Sequence, residues 1–226
     1  MFDAIAGRYD LLNHLLSAGI DRGWRQRAIG SLRLTGTERV LDLCTGTADL
    51  ALAARSASPG ARRVVGIDFA GAMLRVGRQK IAARGASGAV SLVQGDATRL
   101  PAADASADAV TIGFGIRNVE HTAAACAEIY RVLRPGGRLA ILEFAIPTSR
   151  LVRGAYLAYF NNVLPRIGRL VSRHTAAYAY LPESVGAFAT PDEFAGMLRQ
   201  AGFSRVEARP LTLGIVVLYC AAKPST

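Results

Sequence analysis

The sequence is short of several things, and each shortage excludes something. Cysteine is scarce: Cys44, Cys126 and Cys220 are far apart, odd in number and in no C-x-x-C pair. That excludes a disulfide framework and predicts reduced thiols in a cytoplasmic setting. The three histidines, His14, His121 and His174, have no ligand spacing, so no metal is expected. No apolar run reaches the roughly 18 residues of a membrane span, and the start lacks a signal-peptide pattern. A soluble protein is expected, or at most one held peripherally at the inner face of the cytoplasmic membrane. Lysine is nearly missing: apart from Lys80 and Lys223, the formal net charge of +10 rests on arginine. Such a bias arises from genome composition as readily as from function, and no recognition helix or stacking motif is present, so nucleic acid is not an expected partner. Anionic partners are favoured, a membrane surface among them.

What is present fits one domain, for 226 residues at 51% hydrophobic content are ample for a single core. Residues 3–17 and 21–34 read as helices, with apolar positions such as Ile5, Leu12, Leu15 and Leu16, then Trp24, Ala28 and Leu32. Strands and helices then alternate. "RVLDL" (39–43), "RVVGID" (63–68), "VSLVQG" (90–95), "DAVTIGF" (108–114) and "GRLAILEF" (137–144) are nearly all apolar, which marks a parallel sheet covered on both faces. Helices are expected near 48–57, 70–84 and 121–133, giving right-handed βαβ crossovers. Thr190-Pro191 caps a helix near 191–201. "SRVEAR" (204–209) and "GIVVLYCAA" (214–222) read as an antiparallel pair at the sheet edge. Residues 150–189 interrupt the alternation on the side where strand carboxyl ends open, which makes them a candidate lid.

The stretch "VLDLCTGTADLA" (40–51) looks like a nucleotide-binding turn, yet it has one glycine, Gly46, and carries Asp42 and Asp49. Ligands of open α/β sheets sit beyond the strands' carboxyl ends, and Asp42, Asp49, Asp68 and Asp96 all fall there. A dinucleotide pyrophosphate would be repelled, and the G-x-G-x-x-G fingerprint is absent. S-adenosylmethionine, a nucleoside without phosphate and with a positive sulfonium, fits better. Asp68, 22 residues beyond Gly46, suits the ribose hydroxyls, and Asp96 with the Ala97 backbone suits the adenine. Each aspartate has a plainer reading as a helix cap.

The chain resembles the ubiquinone/menaquinone biosynthesis C-methyltransferases over nearly its whole length. The resemblance is carried by "MFDAIAGRYDLLN" (1–13), "LDLCTGTAD" (41–49), "GDATRLP" (95–101), "FGIRNV" (114–119), "YRVLRPGGRLAILEF" (130–144), "YAYLPESV" (178–185) and "GIVVLYCAAKP" (214–224). It implies a Rossmann-like class I methyltransferase fold: a seven-stranded, mostly parallel sheet with an antiparallel last pair, N-terminal helices (1–34), a cofactor-binding core (35–149), a helical lid insertion (150–189) and a last helix with edge strands (190–226). It implies S-adenosyl-L-methionine as cofactor and a polyprenyl quinol as substrate. The "CTGTAD" loop favours demethylmenaquinol; the benzoquinol of ubiquinone biosynthesis and other small-molecule acceptors are the alternatives. Thr45 and Ala48 stand where many relatives have glycine, and Gly113 where they often have serine. Ala48 suits that place only if its backbone is right-handed.

The residues the resemblance implicates are these. Asp42, Gly46, Thr47, Asp68, Phe69, Asp96, Ala97 and Gly113 are expected at the cofactor. Arg117 and Asn118 are expected at the reacting ring, Arg117 stabilising a quinolate oxygen or orienting a water, and Asn118 holding the other oxygen; a surface ion pair is the plainer account of Arg117. Tyr9, Glu143, Tyr178 and Tyr180 are expected near the substrate, against helix packing, a structural hydrogen bond and a lid clamp respectively. Glu183 and Ser184 join them, and His121 reads as a solvated helix end. Arg150, Arg153, Arg166, Arg169 and Arg173 interleave with Tyr156, Tyr159, Phe160, Leu164 and Leu170. That pattern suits an anionic membrane interface, a lid packed on the core, or a homodimer contact.

Overall fold

The computed structural model describes residues 19–159 and 183–225. The expected helix over 3–17, with Tyr9, and most of the insertion, with Tyr178 and Tyr180, lie outside them. Six helices of eight residues or more are described: α1 (Asp21–Ser31), α2 (Asp49–Ser56), α3 (Gly71–Ala83), α4 (Thr122–Val132), α5 (Arg150–Ala158) and α6 (Pro191–Gln200). Seven strands, β1 (Arg39–Leu43), β2 (Arg63–Asp68), β3 (Val90–Gln94), β4 (Ala107–Gly113), β5 (Leu133–Phe144), β6 (Ser204–Leu211) and β7 (Val216–Ala222), form one sheet in the order β3-β2-β1-β4-β5-β7-β6.

The order reverses between β1 and β4, so the mouth of the sheet opens at the carboxyl ends of these two central strands. Of the expected antiparallel pair only β7 runs against the rest. It pairs antiparallel with both β5 and β6, which leaves β6 parallel to β5. The tight connection through Thr212–Gly214 reverses the chain between them.

Side-chain alternation sorts the core into two layers. Leu41 and Leu43 of β1, Val110 and Ile112 of β4, and Leu139 and Ile141 of β5 face α4 and α6, against Ile129, Phe194 and Leu198. Val40, Ala109, Ala140 and Leu142 face the other way, against Trp24 and Ala28 of α1, Leu32 just past its end, and the alanine-rich α2. The helix that the sequence places at 191–201 starts as expected: Thr190 and Glu193 form a reciprocal capping box with Pro191 in the first turn. The β5 strand starts earlier than the apolar pattern suggests, because Leu133 already pairs with Ala107 before a register shift at Ala109.

Candidate active site

Among the described residues, two cavities open at the carboxyl ends of the central strands. The first, about 450 Å³, is walled by Leu43, Cys44 and Gly46 after β1, Asp68, Phe69 and Met73 after β2, Asp96 to Thr98 after β3, and Gly113 to Gly115 after β4. The second, about 650 Å³, lies between Arg117–Glu120 and residues 183–189, with Met197 of α6. Asn118, Val119 and Glu120 line both, so this short ridge separates and joins them.

The loop after β1 takes left-handed backbone at alternate residues: Cys44 (φ 50°), Gly46 (φ 53°) and Ala48 (φ 67°). Such alternation curls successive N–H groups into an anion-binding hollow. Here the anion is the protein's own, for the Gly46 N–H donates to Asp68 Oδ2 at 2.7 Å. The Thr45 N–H goes to the Ile67 carbonyl and the Ala48 N–H to the Thr45 carbonyl. The donors that a phosphate loop would offer are used internally. The right-handed conformation expected of Ala48 is not the one found; its methyl is fully buried in a left-handed turn that glycine would enter more easily.

The four aspartates separate. Asp42 sits behind the loop, fully buried, and accepts from Thr45 Oγ1 at 2.5 Å and Thr111 Oγ1 at 2.7 Å. Thr111 is its register partner across β1 and β4, so the two side chains share one face of the sheet. Burial pushes the Asp42 carboxyl up to about 6, against the opposing pull of the two hydroxyls. Asp49 begins α2 and pairs with Lys80 of α3 and with Arg25 of α1 at 3.3 Å, so its charge is balanced. Thr47, also expected at the cofactor, is buried and accepts from Lys80 Nζ at 3.1 Å. Asp42 and Thr47 therefore brace the loop rather than line the cavity.

Asp68 and Asp96 do line it. Asp68 Oδ1 takes the Ala70 N–H at 2.8 Å while Oδ2 holds Gly46, which fixes the carboxylate at the mouth of β2. Asp96 closes a small turn on the Thr98 N–H and hydroxyl, both at 2.8 Å, which hold its carboxyl below the usual range. Phe69 stands beside them with 78% of its surface exposed. Ala97 and Gly113, also expected at the cofactor, line the wall as well. His121, expected as a solvated end residue, is exposed and lines this cavity too.

At the second cavity Arg117 is not a surface residue. Its side chain keeps 7% exposure and its Nη1 donates to Glu143 Oε1 at 2.8 Å and to the Phe114 carbonyl. Nε donates to Ser184 Oγ at 3.2 Å, tying the helical turn 183–187 to the ridge. The guanidinium lies 5.6 Å from the centre of the Phe144 ring, which packs at a tilt on Phe114 at 4.5 Å and edge-on to Trp24 at 6.3 Å. Glu143, expected against substrate, is instead fully buried and lines neither cavity. Its carboxylate accepts from Arg117 twice and from the Phe144 N–H.

The sequence reading missed Cys44, Gly115, Val119 and Glu120 as wall residues, and Lys80 and Arg25 as braces. Gly115 had a signal in the "FGIRN" run. A Cβ there would stand 2.3 Å from Cys44 Cβ, so the two strand-end loops approach as closely as glycine permits. Burial, then the charges of Asp68 and Asp42, pushes the Cys44 thiol up, and it stays neutral at the cavity wall. Lys80 and Arg25 carried no local signal, since each meets Asp49 only through tertiary packing.

Comparison with known proteins places the chain in a family. The ubiE/COQ5 methyltransferase family model matches residues 1–223. The chain is 51% identical to the ubiquinone/menaquinone biosynthesis C-methyltransferase UbiE of Syntrophotalea carbinolica, over 97% of this chain and 91% of that one. It is 48% identical to the demethylmenaquinone methyltransferase of Deinococcus radiodurans, over 99% and 91%. Among solved structures it resembles a SAM-dependent methyltransferase from Aquifex aeolicus (TM-score 0.63, 17% identity, 88% of each chain). It also resembles the [4+2]-cyclase SpnF (TM-score 0.68, 19% identity, 92% and 82%). That a cyclase shares the architecture shows that the fold alone does not fix the chemistry. Sequence likeness along the whole length does what the fold cannot: this chain is an enzyme of Rossmann-like class I methyltransferase architecture and belongs to the ubiE/COQ5 methyltransferase family.

Proposed function

We propose that the chain transfers a methyl group from S-adenosyl-L-methionine to a ring carbon of a polyprenylated quinol, with demethylmenaquinol as the acceptor and menaquinol as the product. One observation carries the cofactor half: the loop after β1 gives its Gly46 N–H to the Asp68 carboxylate instead of offering it to a phosphate. A phosphate-free nucleoside with a cationic sulfonium fits such a cavity. Asp68 would take the ribose hydroxyls, Asp96 and Ala97 the adenine edge, and Phe69 a face of the base. Gly46 and Gly113 leave room for the methionine part. When bound, the cofactor supplies an electrophilic methyl.

The acceptor half rests on the second cavity, on its junction with the first at Asn118–Glu120, and on the names borne by the relatives. A quinol ring lying there would meet the methyl across the ridge, and holding both partners in line supplies much of the rate. Arg117, at the wall, stabilises the quinolate oxygen that makes the ring carbon electron-rich, and Asn118 holds the second oxygen. The benzoquinol of ubiquinone biosynthesis is a second reading, favoured by the double name of the Syntrophotalea relative.

Calorimetry should show heat of binding for S-adenosyl-L-methionine and none for NADH, and Asp68→Ala should remove it. Methylation assays with demethylmenaquinol and the benzoquinol then decide the ring. Binding of NADH in place of S-adenosyl-L-methionine would end the cofactor reading, and failure to methylate either quinol would end the acceptor reading.

A further inference from the structure

The Arg117–Glu143 pair reaches beyond a generic ion pair. Glu143 lies one residue past Leu142, the β5 residue that pairs with the last residue of β4, Gly113. It therefore stands where β4 has already turned into the ridge that carries Arg117. Period-two alternation gives it the same face as Leu139 and Ile141, toward α4 and α6. From there its carboxylate reaches both the Arg117 backbone N–H, at 3.2 Å, and the guanidinium, at 2.8 Å.

A guanidinium is a rigid planar fork with five N–H donors. Three of them, Nε–H and the two on Nη1, go to Ser184, Glu143 and the Phe114 carbonyl. A planar group fixed at those points cannot turn about its own axis, so the protein sets its direction at the cavity wall. Phe114 holds φ 60°, a left-handed conformation that aims its carbonyl back at Arg117. The carboxylate also balances the charge of a guanidinium that keeps only 7% of its side-chain exposure. Glu143 is fully buried and lines neither of the two described cavities, which sets it behind the wall that an acceptor would touch.

We infer that Glu143 is a positioning residue for methyl transfer: through Arg117, and by no contact of its own with the acceptor, it fixes the guanidinium that faces the acceptor's oxygen. This rests on the acceptor reading above. The sequence leaves Glu143 open between the substrate and a structural hydrogen bond to a neighbouring turn; its bonds to Arg117 match the second account and set it one layer behind the cavity wall.

The test is a cycle of Glu143→Gln, Arg117→Ala and the double variant, each followed by quinol methylation, calorimetry with S-adenosyl-L-methionine, and thermal melting. Glu143→Gln keeps size and an acceptor oxygen but loses the charge that anchors the fork. Its kcat should fall roughly 100-fold, as misplacement of a reacting group does, while cofactor affinity stays at the wild-type value. The double variant should be no slower than Arg117→Ala alone, because Glu143 then has nothing left to position. It should also melt above either single variant, since neither buried charge is left without its partner.

Wild-type kcat in Glu143→Gln, or losses that multiply in the double variant, would overturn the inference. If Glu143→Gln does not fold, comparing Arg117→Ala with the double variant still decides it, since a further fall there assigns Glu143 a role of its own. A wild-type enzyme that methylates neither quinol defeats the acceptor reading instead. In that case a double variant melting no higher than the singles removes the coupling as well.

Discussion

Asp42 and Glu38 are both buried carboxylates, and they move in opposite directions for reasons visible in their partners. Asp42 meets two hydroxyls, which do not outweigh its complete burial, and it titrates at about 6 instead of 3.8. For Glu38 burial also pushes upward, but the Thr35 and Gly36 N–H groups, its own N–H and the Thr35 hydroxyl outweigh it and hold the carboxyl at about 2. Arg138 adds a contact at 3.3 Å. A raised acid favours the folded state in its protonated form, so the Asp42 contribution is complete below pH 3.8 and is lost as pH rises through about 6. Glu38 contributes above pH 4.5 and loses that contribution as pH falls toward 2. Acidification from pH 7 to 5 should therefore stabilise the wild type, by an amount on the order of 1 kcal/mol from Asp42. Melts of Asp42→Asn over the same range should lack that rise; an identical rise would show that Asp42 is not its source. Gly115 supports a second expectation. Gly115→Ala pushes a methyl into Cys44 Cβ, and overpacking of this kind costs about 1–3 kcal/mol. Cys44→Gly removes both the Cβ that this methyl meets and the strain of a left-handed non-glycine residue, so the pair of substitutions should melt above Gly115→Ala alone.

The elements were largely legible, and the reason is their environment. Strands buried on both faces leave apolar runs such as "VVGI", and β2 occupies the residues read from that run. The helix at Thr190 was legible because cap, proline and Glu193 are local chemistry. Thr190→Ala should cost about 1 kcal/mol, a fall in Tm of about 2–4 °C for a chain of this size, and an unchanged Tm would mean that the box adds nothing to α6. Strand direction was harder to read. A hairpin-like pair predicts β7 antiparallel to β6, but nothing in "GIVVLYCAA" says that β7 inserts between β5 and β6. The partners of the site were harder again. Gly46 and Asp68 are 22 residues apart, Arg117 and Glu143 are 26, and Asp42 and Thr111 are 69. The sequence showed acids at strand ends; which of them face the cavity and which brace the loop is decided by strand order and register. Hence Asp68 and Asp96 line the first cavity while Asp42, Thr47 and Glu143 stand behind the walls of the two described cavities.

At the scale of the whole molecule the question is how an enzyme with a polyprenylated acceptor would reach it. Among the described residues no helix is long and apolar enough to cross a membrane. The net charge of +10 belongs to the full chain, and α5 adds a local face. Tyr156 turns inward, while Leu151 is 84% and Leu157 41% exposed, beside the exposed Arg150 and Arg153. Leucines set among arginines on an outward helix face suit the interface of an anionic bilayer, where apolar burial and charge attraction act together. Attraction to a surface of opposite charge is screened within a Debye length of about 10 Å at 0.1 M salt and about 3 Å at 1 M. The protein should therefore sediment with vesicles containing phosphatidylglycerol at low salt, and it should be released as salt rises. It should stay in the supernatant with purely phosphatidylcholine vesicles. Leu151→Glu, which places an acid on the most exposed apolar position of α5, should weaken the binding without changing cofactor affinity. Equal sedimentation with neutral vesicles would make the contact apolar rather than electrostatic. Absence of binding at low salt would remove the membrane contact.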